Sequence, residues 1–194
     1  MGRMNRTRRR LLLASGAAGV VSAAGGAVPF VASMLPSERA RAAGAPVTVD
    51  IHDLAPGEMR TVSWRGKPVW ILRRTDSMLA HIRADDALAS DPHSDVPQQP
   101  DYAKNEYRSI RPEIAVLVGV CTHLGCTPNF EPADAKAQMG QDWNGGFLCP
   151  CHGSRFDLAG RVLRGSPAPT NLVVPDYGFA EDGKVIIGSH VKPA

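Results

Sequence analysis

The sequence has 194 residues, of which 43% are hydrophobic, and a formal net charge of +3. This length suits one ordinary domain with attached segments, and the apolar content is sufficient for a buried core. Five arginines lie within positions 1–10, which contain no acidic residue. The rest of the chain carries 17 basic and 19 acidic side chains. It therefore lacks the basic excess that indicates nucleic-acid binding, and no nucleic-acid partner is expected.

Residues 1–10 are a cytoplasmic twin-arginine segment in front of an apolar stretch. The arginines at 8–10 are followed by 25 residues, 11–35, without a charge. Because a helix of about 20 residues crosses a bilayer, residues 11–35 are predicted to be a transmembrane anchor with a cytoplasmic N-terminus. The alternative is a secretory signal cleaved after residues 40–42. Consecutive arginines are typical of export in the folded state, which suits a protein with a preassembled cofactor.

Residues 36–46 are rich in alanine and polar residues, with a glycine and a proline near their end. This composition predicts a flexible tether between the anchor and a head domain that spans residues 47–194. An ordinary linker and a functional hinge fit the segment equally well.

The first half of the head domain has patterns typical of β-strands. Apolar and polar residues alternate over 47–51, as in a half-buried strand. Residues 58–64 and 67–74 flank Arg65-Gly66 and are predicted to form a hairpin. Thr75 is a suitable N-cap for a short helix over residues 75–86.

Further along the chain, long irregular segments alternate with apolar ones. Residues 89–113 hold four prolines and many polar groups, and they are predicted to be an extended surface connection. Residues 114–120 are apolar and lead directly into the first cysteine as a buried strand. A closing strand is predicted at 184–188, and residues 127–148 are predicted to be an exposed excursion without chemistry.

Short strands separated by turns predict a mainly β fold, an antiparallel sandwich or barrel. Trp64 and Trp70 in the hairpin are predicted to pack in the core or across the strands, without a role in a site.

The four cysteines lie in two short stretches with one histidine each: Cys121, His123 and Cys126 in the first, and Cys149, Cys151 and His152 in the second. Three interpretations remain open at this point. Two disulfides would suit an exported domain but leave both histidines unexplained. Tetrahedral zinc would leave two of the six groups spare. A two-iron cluster with two cysteine and two histidine ligands, together with one disulfide, would use all six.

The stretches CTHLGC (121–126) and CPCHGS (149–154) resemble the two boxes of Rieske iron–sulfur proteins. More narrowly, the chain is similar to the iron–sulfur subunit of bacterial quinol–cytochrome c oxidoreductase, the cytochrome bc1 complex. The twin-arginine anchor, the alanine-rich tether, the sequence Arg111-Pro112-Glu113 and the sequence GSPAP (165–169) follow the order found in that family. The resemblance covers nearly the whole chain. It implies a Rieske domain with a small cluster-binding subdomain at about residues 119–170, preceded by one transmembrane helix.

The resemblance implies one [2Fe–2S] cluster per subunit. The implied ligands are Cys121 and Cys149 on the buried iron and His123 and His152 on the outer iron. It also implies a Cys126–Cys151 disulfide and makes His152 the residue that hydrogen-bonds the quinol. Two neutral imidazoles in place of two thiolates raise the reduction potential to about −150 to +300 mV, from about −400 mV for plant-type ferredoxins. Such a potential suits oxidation of a quinol.

Other residues near the boxes receive roles from the same resemblance. Leu124 lies on the docking face or in the local core. Gly125 and Gly153 permit tight turns that direct backbone N–H groups at sulfur. The Ser154 hydroxyl bonds a bridging sulfide, and Pro167 belongs to a proline loop that limits access of water.

One residue departs from the pattern of the family. Many members have a tyrosine two positions after the serine, where its hydroxyl bonds a cysteine ligand, and this chain has Phe156. A lower potential than in the tyrosine-bearing relatives is therefore expected. The remaining histidines lie outside any ligand spacing and are not expected to bind metal: His52, His81, His93 and His190.

The implied function is electron transfer. The cluster accepts one electron from ubiquinol, with a proton taken by a histidine ligand, and the electron passes to cytochrome c1. The implied partners are the cytochrome b and c1 subunits of a dimeric complex, ubiquinol and membrane lipid. The implied location is the bacterial inner membrane, with a single span and a periplasmic head. Alternatives are a menaquinol-oxidising complex, an exported arsenite-oxidase type subunit, a cytoplasmic Rieske ferredoxin or oxygenase domain, and a structural zinc domain.

Overall fold

The computed structural model describes residues 5–35, 37 and 44–189. The chain divides into two compact units, Met1–Ala42 and Ala43–Ala194, and each is described by itself. Most of the predicted tether lies outside the described residues.

Helix α1 spans Arg6–Ser33 and has 28 residues. Asn5 caps it, because its side chain accepts a hydrogen bond from the backbone N–H of Thr7 at 3.1 Å. The helix has a mean hydropathy of 1.8 over its most apolar stretch. It starts within the arginine segment, since arginine is a good helix former, and continues through most of residues 11–35. By length and composition it can cross a membrane.

The described residues of the head domain form three antiparallel sheets of three strands each. The first consists of β1 (Val47–Val49), β9 (Val185–Ile187) and β8 (Tyr177–Phe179), in that order. The second consists of β2 (Met59–Trp64), β3 (Lys67–Arg73) and β4 (Ile114–Val118). The third consists of β5 (Asn129–Glu131), β6 (Gly146–Leu148) and β7 (Arg155–Asp157). The predicted mainly β, antiparallel fold is confirmed.

The helices of the head domain are short. Helix α2 spans Asp76–Ala84 and α3 spans Lys136–Met139, and 3-10 turns occupy Asp85–Ala87 and Asp101–Ala103. The predicted cap of α2 is present, because the Thr75 hydroxyl accepts a hydrogen bond from the Met78 N–H at 3.2 Å.

The second sheet follows its sequence pattern closely. Strands β2 and β3 form the predicted hairpin, and Arg65 and Gly66 at its tip have φ values of 51° and 72°. Two consecutive residues of positive φ suit the twist of a two-residue hairpin. All five residues of β4 are buried, as predicted for this apolar segment, although β4 lies at the edge of the sheet beside β3. The cysteine-bearing loop that follows β4 therefore starts from a rigid element.

Two predictions of irregular surface structure are wrong in part. Residues 127–148 contain β5, α3 and β6, and the buried Trp143 donates its indole N–H to the carbonyl of Pro132 at 3.1 Å. Strands of three residues are too short for an alternating pattern to show in the sequence. Residues 89–113 do run as a long connection, but Ala103 and Arg108 are completely buried.

Three buried arginines hold the turn that follows β7. Arg74 and Arg108 donate hydrogen bonds to the backbone carbonyls of residues 158–160 at 3.1–3.3 Å. Arg161 donates its Nε–H to the buried carboxylate of Asp157 at 2.6 Å. Burial lowers the pKa of Arg74 and of Arg108 to about 10, so both remain charged at neutral pH. The end of the third sheet is thereby fixed to the rest of the domain.

A buried acid also connects the third sheet to the 3-10 turn that follows α2. Asn144, just before β6, donates to the carboxylate of Asp85 at 2.7 Å. Burial raises the pKa of Asp85 to about 6 and the charge of Asp157 adds to this, while the Asn144 bond, Arg161 and His81 act in the opposite direction. Since the pKa of Asp85 in the folded protein lies above the ordinary aspartate value of 3.8, the fold favours the protonated acid. This stabilisation is complete below about pH 4 and is lost as the pH rises through about 6.

Replacing Asp85 by asparagine is therefore expected to stabilise the head domain at pH 7–8 and to have little effect at pH 4. The gain should reach up to about 3 kcal/mol, since one unit of pKa shift corresponds to about 1.4 kcal/mol. Urea unfolding of both proteins between pH 4 and 8 measures this difference, with Asp101→Asn as an exposed control. A difference that does not change with pH would show that ionisation of Asp85 is not its cause.

Candidate metal centre

The first cysteine loop leaves the end of β4 and turns back on itself within six residues. The backbone N–H of Cys121 donates to the carbonyl of Cys126 at 2.7 Å, and the N–H of Gly125 donates to the carbonyl of Cys121 at 3.0 Å. Gly125 has a φ of 87°, which a residue with a side chain adopts only with strain. The glycine predicted to permit a tight turn does lie in one.

The second cysteine loop, between β6 and β7, repeats this hydrogen-bond pattern. The N–H of Cys149 donates to the carbonyl of Ser154 at 2.8 Å, and the N–H of Gly153 donates to the carbonyl of Cys149 at 2.9 Å. Gly153 has a φ of 75°. Ser154 thus occupies the place in the second loop that Cys126 occupies in the first. The sequence carries this equivalence as a glycine four positions after a cysteine in both stretches, and the sequence reasoning above missed it.

Two free thiols lie together at the base of the loops. Cys121 and Cys149 are both buried and form no disulfide. Burial raises the pKa of the Cys121 thiol, and the Cys149 thiol contributes to raising it, while hydrogen bonds from the His123 backbone and the Ser154 hydroxyl partly oppose this effect. A cation between the two sulfurs would favour the thiolate form of both.

Two imidazole rings lie together nearer the surface. The ring centroids of His123 and His152 are 4.8 Å apart, and the ring planes are at 86° to each other. His123 is half-buried and His152 is exposed. The donor set therefore has a buried sulfur side and a solvent-facing nitrogen side.

The other two cysteines are joined to each other. A Cys126–Cys151 disulfide links the loops, with a Cα–Cα distance of 6.7 Å, so the pairing implied by the resemblance is present. The sulfurs of Cys126, Cys149 and Cys151 all lie within 4.8 Å of one another. Disulfide sulfurs are not thiolates and are poor metal ligands, so of these three only Cys149 remains as a donor.

The donors left over are two thiols and two imidazoles. Structural zinc could use such a set, but the split between a buried sulfur pair and an exposed nitrogen pair suits a two-iron cluster of mixed ligation, with sulfur on one iron and nitrogen on the other. The residues present therefore fit a [2Fe–2S] cluster of this kind.

Hydrogen bonds of two side-chain hydroxyls connect the proline loop and the residue after it to the two cysteine loops. The buried Ser154 hydroxyl accepts from the N–H of Ala168 at 3.0 Å, in addition to its contact with Cys121. Thr122 donates to the carbonyl of Thr170 at 2.6 Å. The role of Thr122 is invisible in the sequence, because its partner lies 48 residues away.

The remaining predicted site residues differ in exposure. Leu124 is 72% exposed, which agrees with a docking face and excludes the local core. Pro167 is exposed, whereas Ala168 beside it is buried. Phe156 is completely buried and lies opposite Phe147 in the register of β6 and β7.

The histidines outside the boxes do not join the site in the described part of the chain. The Nδ1 atom of His52 is hydrogen-bonded to the carboxylate of Asp50 at 2.7 Å. His81 lies within helix α2, and His93 lies in the long connection. His190 lies outside the described residues.

Replacing Phe156 by tyrosine tests how the site tunes its potential. A hydroxyl that donates to a ligand sulfur favours the reduced, more negative state, and a net hydrogen bond of about 1 kcal/mol corresponds to roughly 40 mV for one electron. The potential is therefore expected to rise in Phe156→Tyr. It is expected to fall by a similar amount in Ser154→Ala, which removes the hydroxyl that contacts Cys121.

Redox titration of both variants at matched iron content measures these shifts. Because Phe156 is completely buried, the added oxygen is also expected to lower the thermal midpoint unless it is fully hydrogen-bonded. Unchanged potentials in the two iron-replete variants would show that these hydroxyls do not tune the cluster.

Comparison with known proteins defines the class of the head domain. Residues 45–178 match the family model described as "Rieske [2Fe-2S] domain". Residues 2–37 match a second one, described as "Ubiquitinol-cytochrome C reductase Fe-S subunit TAT signal". The head is thus a Rieske [2Fe–2S] domain, and the apolar helix together with the export signal fits a membrane-anchored subunit.

Comparison with individual relatives identifies the family within this class. The chain is 55% identical over 186 residues to the ubiquinol-cytochrome c reductase iron-sulfur subunit of Allochromatium vinosum, covering 95% of this chain and 90% of the relative. It is 40% identical over 184 residues to the subunit of that name from Bradyrhizobium diazoefficiens, covering 94% of each. It is also 43% identical over 160 residues to the mitochondrial Rieske subunit of the Solanum tuberosum cytochrome b-c1 complex, covering 82% of this chain and 52% of the relative. The chain belongs to the family of ubiquinol–cytochrome c reductase Rieske iron–sulfur subunits.

Proposed function

We propose that this chain takes single electrons from ubiquinol and passes them to cytochrome c1. It would act as the iron–sulfur subunit of an oxidoreductase in the bacterial inner membrane, with one span at residues 11–35 and the head on the periplasmic side. The observation that carries the proposal is the donor set. Two buried thiols lie beneath two imidazoles 4.8 Å apart, in a chain of the Rieske subunit family.

The chain's own residues have separate tasks in this proposal. Cys121 and Cys149 would hold the buried iron, and His123 and His152 would hold the outer iron. When bound, the cluster would supply a one-electron carrier at a potential that suits quinol oxidation. The exposed His152 would hydrogen-bond the quinol oxygen and take up its proton on the imidazole ring. The buried side of the donor set excludes water from the sulfurs.

The proposed partners meet the exposed side of the site. Leu124 and His152 are both exposed. Leu124 directly follows His123, whose ring lies 4.8 Å from the ring of His152, so a partner surface over the imidazoles would meet Leu124 nearby. The proposed partners are cytochrome b and cytochrome c1, in a dimeric complex, and residues 36–46 serve as the tether between anchor and head. The names of the relatives favour ubiquinol over menaquinol as the donor and do not support an arsenite-oxidase type of subunit.

Extraction of the membranes in mild detergent tests the proposal. The chain is expected to co-purify with b-type and c-type haem, and reduction of the c-type haem by ubiquinol should be lost in His152→Gln. His93→Gln is a matched control, because His93 is also an exposed histidine. An iron-replete chain without haem partners, or ubiquinol-dependent reduction that survives His152→Gln, would contradict the proposal.

A further inference from the structure

Trp70 lies between the segments that lead into the two cysteine loops. The residue two positions before the first cysteine ligand is Gly119, and the residue two positions before the second is Phe147. The Trp70 indole stacks on the Phe147 ring, with centroids 4.7 Å apart and planes at 12°. On the other segment, a Cβ atom at Gly119 would lie 2.3 Å from Cε2 of Trp70. One buried side chain therefore touches equivalent positions of both loops.

Gly119 is needed for this contact because of space. Its φ is not among the positive values found at other glycines of the head, so its backbone conformation is open to any residue. A real Cβ essentially never approaches another heavy atom to 2.3 Å, so only a glycine lets the chain pass this close to the indole. Gly119 and Trp70 thus form a fitted pair at the start of the first loop.

The two loops are held together in two places. Near the surface the Cys126–Cys151 disulfide joins them. On the buried side the described structure has no covalent link, and the stacked Trp70 and Phe147 rings lie against Gly119. The two loops repeat one hydrogen-bond pattern, which starts at Cys121 in the first and at Cys149 in the second. Each loop therefore has a fixed shape, and the distance between the segments at Gly119 and Phe147 determines where the cysteine and histidine side chains lie.

We propose that Trp70 is a positioning residue for the cluster: its indole is the spacer that sets the separation of the two loops and hence the geometry of the cysteine and histidine ligands. This inference rests on the proposed ligand set. It assigns to Trp70 and Gly119 a role beyond core packing. Both residues would act by positioning the loops and not as ligands of the cluster. Trp64 belongs to the same hairpin but packs against Gly188, away from both loops.

The test compares Trp70→Phe, Trp70→Leu and the control Trp64→Leu in the full-length protein. Iron content, thermal midpoint, reduction potential and electron paramagnetic resonance spectrum are measured for each. The Trp70 variants are expected to shift the g values and the potential at matched iron content. Trp64→Leu is expected to lower the thermal midpoint and leave the spectrum unchanged. Iron-replete Trp70 variants with the wild-type spectrum and potential would overturn the inference.

A rescue experiment covers the case in which the Trp70 variants fail to retain iron. Gly119→Ala alone is expected to lose most of its iron, because the new methyl group meets the indole. Gly119→Ala combined with Trp70→Leu is expected to retain more iron than either single variant, because the smaller side chain leaves room for the methyl group and the methyl group fills part of the space that the indole occupied. Wild-type iron content in Gly119→Ala, or no recovery in the double variant, would overturn the inference. A wild-type protein without a Rieske spectrum would instead contradict the proposed function.

Discussion

Replacing Asp157 by asparagine is expected to destabilise the head domain by about 3–5 kcal/mol, the typical cost of leaving a buried charge without its partner. The Asp157 carboxylate accepts from Nε of Arg161 at 2.6 Å and from the backbone N–H groups of Ala159 and Arg161 at 2.9 and 2.7 Å. Asp157 is completely buried, and Arg74, Arg108 and Arg161 are buried as well. Removing the charge of Asp157 takes away the carboxylate that most favours the charged form of Arg74 and of Arg108.

Urea unfolding of iron-matched protein measures this loss. Asp182→Asn is the matched control, since it breaks an exposed ion pair with Lys184 of the same 2.6 Å length, and exposed pairs contribute little. Equal effects of the Asp157 and Asp182 variants would contradict the importance of burial.

Breaking the disulfide is expected to be the second large effect. The Cys126–Cys151 bridge closes a segment with a sequence separation of 25, and such bridges typically contribute about 2–4 kcal/mol. Cys126→Ala combined with Cys151→Ala is expected to lower the unfolding free energy by this amount and to release iron faster, although both proposed cysteine ligands remain. The bridge lies beside Cys149, within 4.8 Å of its sulfur, so loosening it frees both loops.

Mass spectrometry of the unreduced wild-type protein should find this bridge before the variants are compared. Single replacements are less informative, because each would leave a reactive free thiol next to the cluster. Free thiols at Cys126 and Cys151 in active protein, or iron release at the wild-type rate in the double variant, would contradict the expected role.

The sequence predicts the local structure of the second sheet well because its signals are local. The hairpin at Arg65-Gly66, the cap at Thr75 and the apolar strand β4 each depend on neighbouring residues. The third sheet escapes prediction, since β5 and β6 have three residues each. From the sequence alone, Arg108 is expected to lie on the surface. Its burial depends on carbonyl partners that lie 51 to 64 residues further along the chain.

The candidate site, too, could be predicted only in part from the sequence. The six groups of the two boxes and their disulfide follow from the family resemblance, because the boxes are short and specific. The positions of Thr122 and Trp70 do not, since each acts on a segment distant in the chain. The contact of Trp70 with Gly119 and Phe147 arises from packing, and a tryptophan in a hairpin carries no local sign of it.

The central claim is that two cysteines and two histidines, split between two loops, hold one two-iron cluster. Pulsed electron paramagnetic resonance of reduced protein labelled with nitrogen-15 histidine tests it most directly. Two strongly coupled histidine nitrogens are expected. The His93→Gln spectrum should be unchanged, and His123→Ser or His152→Ser should lose the signal or one of the couplings. A spectrum without coupled nitrogen, or a protein that holds zinc and is silent after reduction, would contradict it.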